Sequence, residues 1–491
     1  MDITLQLISI FTLAALSLLG WGFFRARQRG KAAMLMWIQG SLLVMPWLVF
    51  LGLLAFGIYL NVAGFLALLI GFTAIYIAVG RRVRSMVAQM PPTPPEANPG
   101  GNDESEDPLS AGKPAPETDL TPRMASADID AIQGIFGIDT FFATEAIAYG
   151  EGVIFKGNLR GDPEVILAQL QPKLAEIVGA RYQLYLVEDV REKPAMVVLP
   201  TEAVNQRAST GAKVLAGILF ALSGLSTLEV GANLLGFRLL ENWQGWPLAL
   251  PFSVGILGIL LLHESGHRWM AGRYGVRLSP AFVVPSFGIG TLGSLNRIES
   301  PVPTRKALFD IAFAGPAVGG AVSLAVLLLG LFLSGGEGDL LVPTTLLTNS
   351  VLVASLTRLI VGAGVGAEVV GIHPLVAMGW ISLGVTALSL LPAGQLDGGR
   401  MVQAVYGRKL AGRATFVSLI LLGVAALSNV LALYWALLIL FIAREPERPP
   451  QNELTPTDDL RDGLTLVALF LVATILLPVP PALAGILHLG G

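Results

Sequence analysis

His263-Glu264-Ser265-Gly266-His267 sets two imidazoles four residues apart, with a glutamate beside the first, directly behind the apolar run Pro247 to Leu262. On a helix the two rings project from one face and can share a metal ion, and the glutamate can reach water held there. This is the side-chain set of zinc peptide hydrolysis. The stretch before it, WPLALPFSVGILGILLL, is uncharged and nearly long enough to cross a bilayer. The predicted chemistry therefore lies inside a membrane.

Composition agrees with that setting: 53% of the 491 residues are hydrophobic and 14% charged, against roughly 25% charged in an average soluble domain. A net charge of -3 over this length points to neither a nucleic-acid partner nor a cationic surface peptide; no nucleotide partner is expected either, for want of a βαβ unit around the one glycine-rich motif. Cysteine is absent, which excludes disulfides, a Cys-based zinc site and a thiol nucleophile. A metal must use His, Asp or Glu.

Apolar segments at Leu5 to Phe24, Met34 to Ile58 and Leu60 to Val79 each have the length of a spanning helix. The first lacks a basic leader and is followed by Arg25, Arg27, Arg29 and Lys31, the pattern of a retained span. Pro91 to Arg123 is rich in proline and acids and reads as a disordered linker. From Ala125 to Ala203 a strand at Glu151 to Lys156, a helix at Pro163 to Ile177 and strands at Tyr182 to Val187 and Ala195 to Leu199 predict a small α+β module. Further spans are expected at Ala212 to Leu235, Trp246 to the metal motif, Leu308 to Leu333, Leu375 to Leu391 and Leu464 to Ile486. Thr415 to Ile442 is too long for one span and too short for two, so a kinked helix or a hairpin is expected. Leu340 to Gly371, interrupted by Arg358 and Glu368, is an amphipathic loop or a span holding a polar pair.

The fold expected is mainly α: a polytopic membrane helical bundle with a small soluble α+β domain inserted before the catalytic core. Its divisions are residues 1–90 (three spans), 91–124 (linker), 125–206 (soluble domain) and 207–491 (membrane-embedded metalloprotease domain). Basic flanks such as Arg81 to Arg84, Arg268 to Arg277 and Arg400 to Arg413, taken as cytoplasmic, put the metal motif near the cytoplasmic face.

A catalytic zinc site needs a third protein ligand and an open fourth position. Asp397 is the candidate, in LPAGQLDGGR, just past the apolar run ending at Leu391 and on the same side as the metal motif. Pro392 interrupts that helix and frees backbone groups for water or substrate. Gly288-Ile289-Gly290-Thr291-Leu292-Gly293 matches G-x-G-x-x-G, but no βαβ unit flanks it. A flexible hairpin or re-entrant segment near the active site is the expectation there. His373 and His488 read as structural, and Arg358 with Glu368 as a solvated or paired charge set.

Taken together, the H-E-x-x-H and L-D-G motifs resemble the site-2 protease family of intramembrane zinc metalloproteases, similar to peptidase family M50. The runs GVIFKGNLRG (Gly152 to Gly161), FDIAFAGP (Phe309 to Pro316) and PAGQLDGGR resemble its plant and cyanobacterial branch, named for ethylene-dependent gravitropism-deficient and yellow-green mutants. The resemblance implies one catalytic Zn2+ held by His263, His267 and Asp397, and Glu264 as general base for attack by zinc-activated water. It also implies substrate handling near Gly290, Gly293, Ser389 and Pro392, membrane-protein substrates, and a cyanobacterial plasma or thylakoid membrane. Ser389 stands where the family usually has Asn. A metal transporter and a non-catalytic scaffold or chaperone are the rival readings.

Overall fold

The computed structural model describes scattered residues between 20 and 82, and residues 124–479 apart from 190–191, 287, 337, 363–367 and 427–428. The chain divides into two compact units, Met1–Pro114 and Ala115–Gly491. In the first, every described residue is helical, and the Phe23 ring meets Trp37 edge-on at 5.4 Å. Most of the three predicted N-terminal spans, the linker Pro91 to Arg123 and His488 lie outside the described residues.

The second unit opens with a four-stranded antiparallel sheet in the order β1-β2-β4-β3. Its elements are α1 (Ser126–Gln133), β1 (Phe141–Tyr149), β2 (Gly152–Leu159), α2 (Pro163–Val178), β3 (Tyr182–Glu188) and β4 (Pro194–Pro200). Sequence reading found β2, α2, β3 and β4 but not α1 or β1. Asp162 caps α2, accepting from the Glu164 and Val165 amides at 2.8 and 3.2 Å. The helix then buries Ile166, Leu170, Leu174 and Val178, a stripe at helical spacing. That stripe covers the face carrying Phe155, Leu184, Leu186, Met196 and Val198. Tyr185, Val187 and Val197 alternate to the other face, where they pack with Val204.

The rest of this unit is mostly helical. Among the described residues, α3 (Thr210–Leu234), α4 (Trp246–Arg273, extended by a preceding turn from Trp243) and α5 (Arg305–Leu333) are long and apolar enough to cross a membrane. Each is apolar on exposed as well as buried faces: Leu215, Ile218 and Leu222 on α3, Leu248, Val254 and Leu261 on α4, and Leu329 and Phe332 on α5 are exposed. A helix apolar all round suits lipid rather than water. Capping defines the starts of α3 and α5, with Ser209 Oγ accepting from Ala212 N and Thr304 Oγ1 from Ala307 N.

The remaining helices are α6 (Val351–Val361), α7 (Pro374–Ser389), α8 (Asp397–Ala425), α9 (Val430–Leu438) and α10 (Asp459–Leu476). Two hairpins complete the unit: β5 (Phe282–Ser286) with β6 (Gly290–Leu295), and β7 (Leu340–Pro343) with β8 (Val369–Ile372). Helix α7, predicted as a span, has only 16 residues. It is capped by the His373 ring, which accepts from the Leu375 amide at 3.3 Å. The uncertain stretch Leu340 to Gly371 folds as the second hairpin around α6, and Arg358 donates to the Gly362 carbonyl at 3.0 Å. Helix α8 kinks at Gly407 (φ 83°), and the chain breaks again before Asn429, which caps α9 by accepting from the Leu431 amide. The predicted Thr415 to Ile442 run is thus a broken helix pair. Helix α10 begins at Asp459, five residues ahead of the predicted Leu464, and Arg461 there binds Asp310 of α5 at 2.7 and 2.8 Å.

One short segment joins the sheet to the helices. Leu186 of β3 donates to the Gln451 carbonyl at 2.7 Å and accepts from the Glu453 amide at 3.0 Å, while Gln451 and Asn452 donate to the carbonyls of Val302 and Pro303. Asn452 therefore forms parallel bridges to Leu186 on one side and Thr304 on the other. Arg408 of α8 adds an ion pair with Glu453 at 2.5 Å.

Candidate metal centre

The H-E-x-x-H motif occupies the last third of α4, where His263, Glu264 and His267 are all buried. The spacing of four residues turns both rings to one face, with centroids 4.9 Å apart. Their Nε2 atoms stand 3.1 Å from each other. Asp397, the first residue of α8, reaches both, with Oδ2 3.4 Å from His263 Nε2 and Oδ1 3.4 Å from His267 Nε2. The three side chains each offer a ligand atom within 4.8 Å of the others.

These spacings fit one zinc ion. Bonds of about 2.1 Å at the tetrahedral angle put two donor atoms about 3.4 Å apart. Two nitrogens and one carboxylate oxygen are also donors that zinc accepts, and they leave a fourth position free. The His267 ring is oriented from behind, because its Nδ1 lies 2.7 Å from the Ile311 carbonyl of α5. That carbonyl accepts a hydrogen bond from Nδ1–H, which leaves the Nε2 lone pair free for a metal.

Close approach of α5 makes this possible. Gly315 and Gly319 sit four residues apart, and a Cβ at Gly315 would overlap the imidazole of His267. At Gly319 it would stand 2.7 Å from the Cβ of His263, and at Gly266 it would stand 2.5 Å from the Ala314 carbonyl. A G-x-x-x-G stripe thus receives the two-histidine stripe of α4. Sequence reading noted Phe309 to Pro316 only as a family resemblance, although the glycine spacing itself was visible.

Glu264 accepts from Ser294 Oγ at 3.2 Å and from Asn296 Nδ2 at 3.3 Å, and pairs with Arg268 at 3.3 Å. Asn296 in turn accepts from Arg400, whose buried guanidinium pairs with Glu447. Sequence reading singled out neither Ser294 nor Asn296. Two polar residues at alternate positions following Gly293 at the end of a glycine-rich segment were the available signal.

The other predicted residues lie outside the metal-binding group. Gly290 and Gly293 belong to β6 of an antiparallel hairpin, with φ of +85° and +100°. A side chain at Gly290 would meet Thr227 Cγ2 of α3 at 2.6 Å, so only glycine fits there. Ser389 Oγ donates to the Thr386 carbonyl at 2.9 Å within α7, and the Pro392 carbonyl accepts from Ser418 Oγ at 3.4 Å. Ser389 is the last residue of α7, and Pro392 lies in the connection from α7 to Asp397. A small cavity beside His263 is lined by Ile256, Leu260, Thr291, Ser382 and Val385.

Two family profiles match the chain: the EGY3 middle domain over residues 130–207 and Peptidase family M50 over residues 251–429. A probable zinc metalloprotease EGY2, chloroplastic, of Arabidopsis thaliana is 33% identical over 377 residues, covering 75% of this chain and 68% of that relative. A probable zinc metalloprotease EGY1, chloroplastic, of Oryza sativa subsp. japonica is 35% identical over 407 residues, covering 75% and 70%. Its Arabidopsis thaliana counterpart EGY1 is 35% identical over 400 residues, covering 74% and 73%. No solved structure matches. Motif, matched profile and extent of identity converge, and the chain belongs to peptidase family M50, in the EGY branch of the site-2-type zinc metalloproteases.

Proposed function

We propose that the chain is an intramembrane zinc endopeptidase that cuts membrane-spanning or membrane-associated proteins. The observation that carries this reading is the meeting of His263, His267 and Asp397 from two helices, with Glu264 in the same turn of α4. Residues 1–90 would form a membrane region and 91–124 a linker. Residues 125–206 would present or filter substrate, and 207–491 would form the protease bundle. The basic flanks support a site near the cytoplasmic face. The named relatives are chloroplastic; a cyanobacterial membrane rests on the sequence resemblance alone.

His263, His267 and Asp397 would hold a zinc ion, whose chemistry there would be Lewis-acid polarisation of a peptide carbonyl and acidification of water. Glu264 is the general base. Its carboxylate takes a proton from the attacking water and returns it to the leaving amide nitrogen, so the C–N bond breaks to a neutral amine. Ser294, Asn296 and Arg268 hold that carboxylate. The hairpin glycines Gly290 and Gly293, with Ser389 and Pro392, line the approach for substrate. A helical substrate hides its carbonyls in its own hydrogen bonds, so the scissile segment must unwind and helix-breaking residues favour cleavage.

A metal transporter would not need a glutamate beside the first histidine, and a scaffold would not need it ionised. Glu264→Gln separates the three readings. Cleavage should vanish while bound zinc and thermal stability persist; unchanged processing of a reconstituted substrate would rule the mechanism out.

A further inference from the structure

Asn296 has an amide that could face either way, and Arg400 decides it. The guanidinium carries only donors, and its Nη1 and Nη2 lie 2.7 Å from the Asn296 side-chain oxygen and main-chain carbonyl respectively. Oδ1 must therefore face Arg400, which leaves Nδ2 to donate to Glu264, 3.3 Å from one carboxylate oxygen and 3.5 Å from the other.

Arg400 is only 1% exposed. Glu447 compensates its charge, with Oε2 3.0 Å from Nε and 2.9 Å from Nη2. Gln403, one turn further along α8, holds the Glu447 backbone by donating to its carbonyl at 2.8 Å. A buried ion pair is poor value as a stabiliser, because desolvation offsets most of its attraction. What a hydrophobic replacement could not do is hold both oxygens of Asn296. Asp397 and Arg400 lie three residues apart in the first turn of α8, so one turn carries a metal-ligand candidate and this clamp.

We propose that Arg400 is a positioning residue for the reaction: through Asn296 it fixes the side-chain conformation of Glu264. The proposal rests on Glu264 being the general base. The hydrogen bonds of Arg400 go to Asn296 and Glu447 and to none of the metal-ligand candidates, and its effect passes through the Asn296 amide. The orientation it imposes is lost when either residue is changed.

The test uses the full-length, zinc-loaded protein in proteoliposomes with a single-span model substrate carrying a Gly-Pro break. Asn296→Asp keeps the contacts to Arg400 but turns an oxygen toward Glu264. It should lower kcat about 100-fold, on the scale of general-base catalysis, with KM, zinc stoichiometry and melting temperature retained. Arg400→Lys should lower kcat in the same way, and should add less than about twofold when Asn296 is already Ala. If Arg400→Lys does not fold, Glu447→Gln, which keeps a hydrogen bond and removes the countercharge, takes its place in the same cycle. Losses that multiply independently, that fall on KM alone, or that follow zinc loss overturn the proposal. Glu264→Gln measured alongside separates the failures. Cleavage that survives it overturns the reading of the site and this proposal together; cleavage lost there but intact in Asn296→Asp overturns the positioning role alone.

Discussion

Gly319 lies against His263 so closely that a Cβ added to it would stand 2.7 Å from the histidine Cβ, and Gly315 stands in the same relation to the ring of His267. The metal-ligand face of α4 is seated on bare backbone of α5. Overpacking there typically costs about 1–3 kcal/mol, and the side chains displaced are the imidazoles themselves. Gly315→Ala and Gly319→Ala should each reduce bound zinc well below one ion per chain and lower the melting temperature. Gly320→Ala, whose added Cβ would meet Thr386 Cγ2 at an ordinary 3.6 Å, should leave both unchanged. Metal analysis of purified protein beside thermal melts is the check.

Asp397 joins both histidines from a separate helix. Asp397→Asn preserves volume and removes the charged donor. Loss of an outer-shell partner weakens metal affinity by roughly 10–100-fold, and loss of a ligand should exceed that. Competition with a zinc chelator should show the weakening while the sheet region keeps its hydrogen-exchange protection.

The Arg181 guanidinium and the Tyr182 hydroxyl both donate to Asp128, at 2.9–3.0 Å, and hold its carboxyl below the usual carboxylate range. A depressed folded pKa contributes stability above the unfolded value of about 3.9. That contribution is lost as pH falls through the lower folded value. Acidification from pH 5 to pH 3 should therefore loosen α1 from β3 in the wild type. In Asp128→Asn the contribution is absent at both values. Hydrogen exchange of residues 126–188, compared between the two proteins at each pH, reads the difference.

Tyr185 carries a buried hydroxyl with no hydrogen-bond partner among the described residues, and burial pushes its phenol pKa up. Leaving such a group unsatisfied costs about 1–3 kcal/mol. Tyr185→Phe removes the hydroxyl and keeps the ring packed beside Val187 and Val204. The variant should be at least as stable as the wild type, by a gain of up to about 1 kcal/mol in a denaturant titration. A clear loss of stability would show that the hydroxyl has a partner in solution.

The motif on α4 was legible because helical spacing turns His263 and His267 to one side whatever the rest of the chain does. Asp397 was legible because the apolar runs could be counted and their ends assigned to a side. Strand β1 was not: its pairing with β2 shifts register between Ala143 and Glu145. That bulge breaks the two-residue alternation by which FFATEAIAY would be recognised. Ser294, Asn296 and Arg400 reach Glu264 only through the register of a hairpin and the start of a distant helix. Their distances from Glu264 are tertiary facts that no local period records. The start of α10 was misplaced by five residues for a related reason, since hydropathy does not register the Asp458 cap that sets where the helix begins; α7 begins within one residue of its expected start.

Residues 451–453 are hydrogen-bonded on one flank to β3 and on the other to the approach to α5. The sheet is consequently stitched to the helices through main-chain atoms, and shifting one against the other would mean tearing a backbone ladder and not turning a side-chain contact.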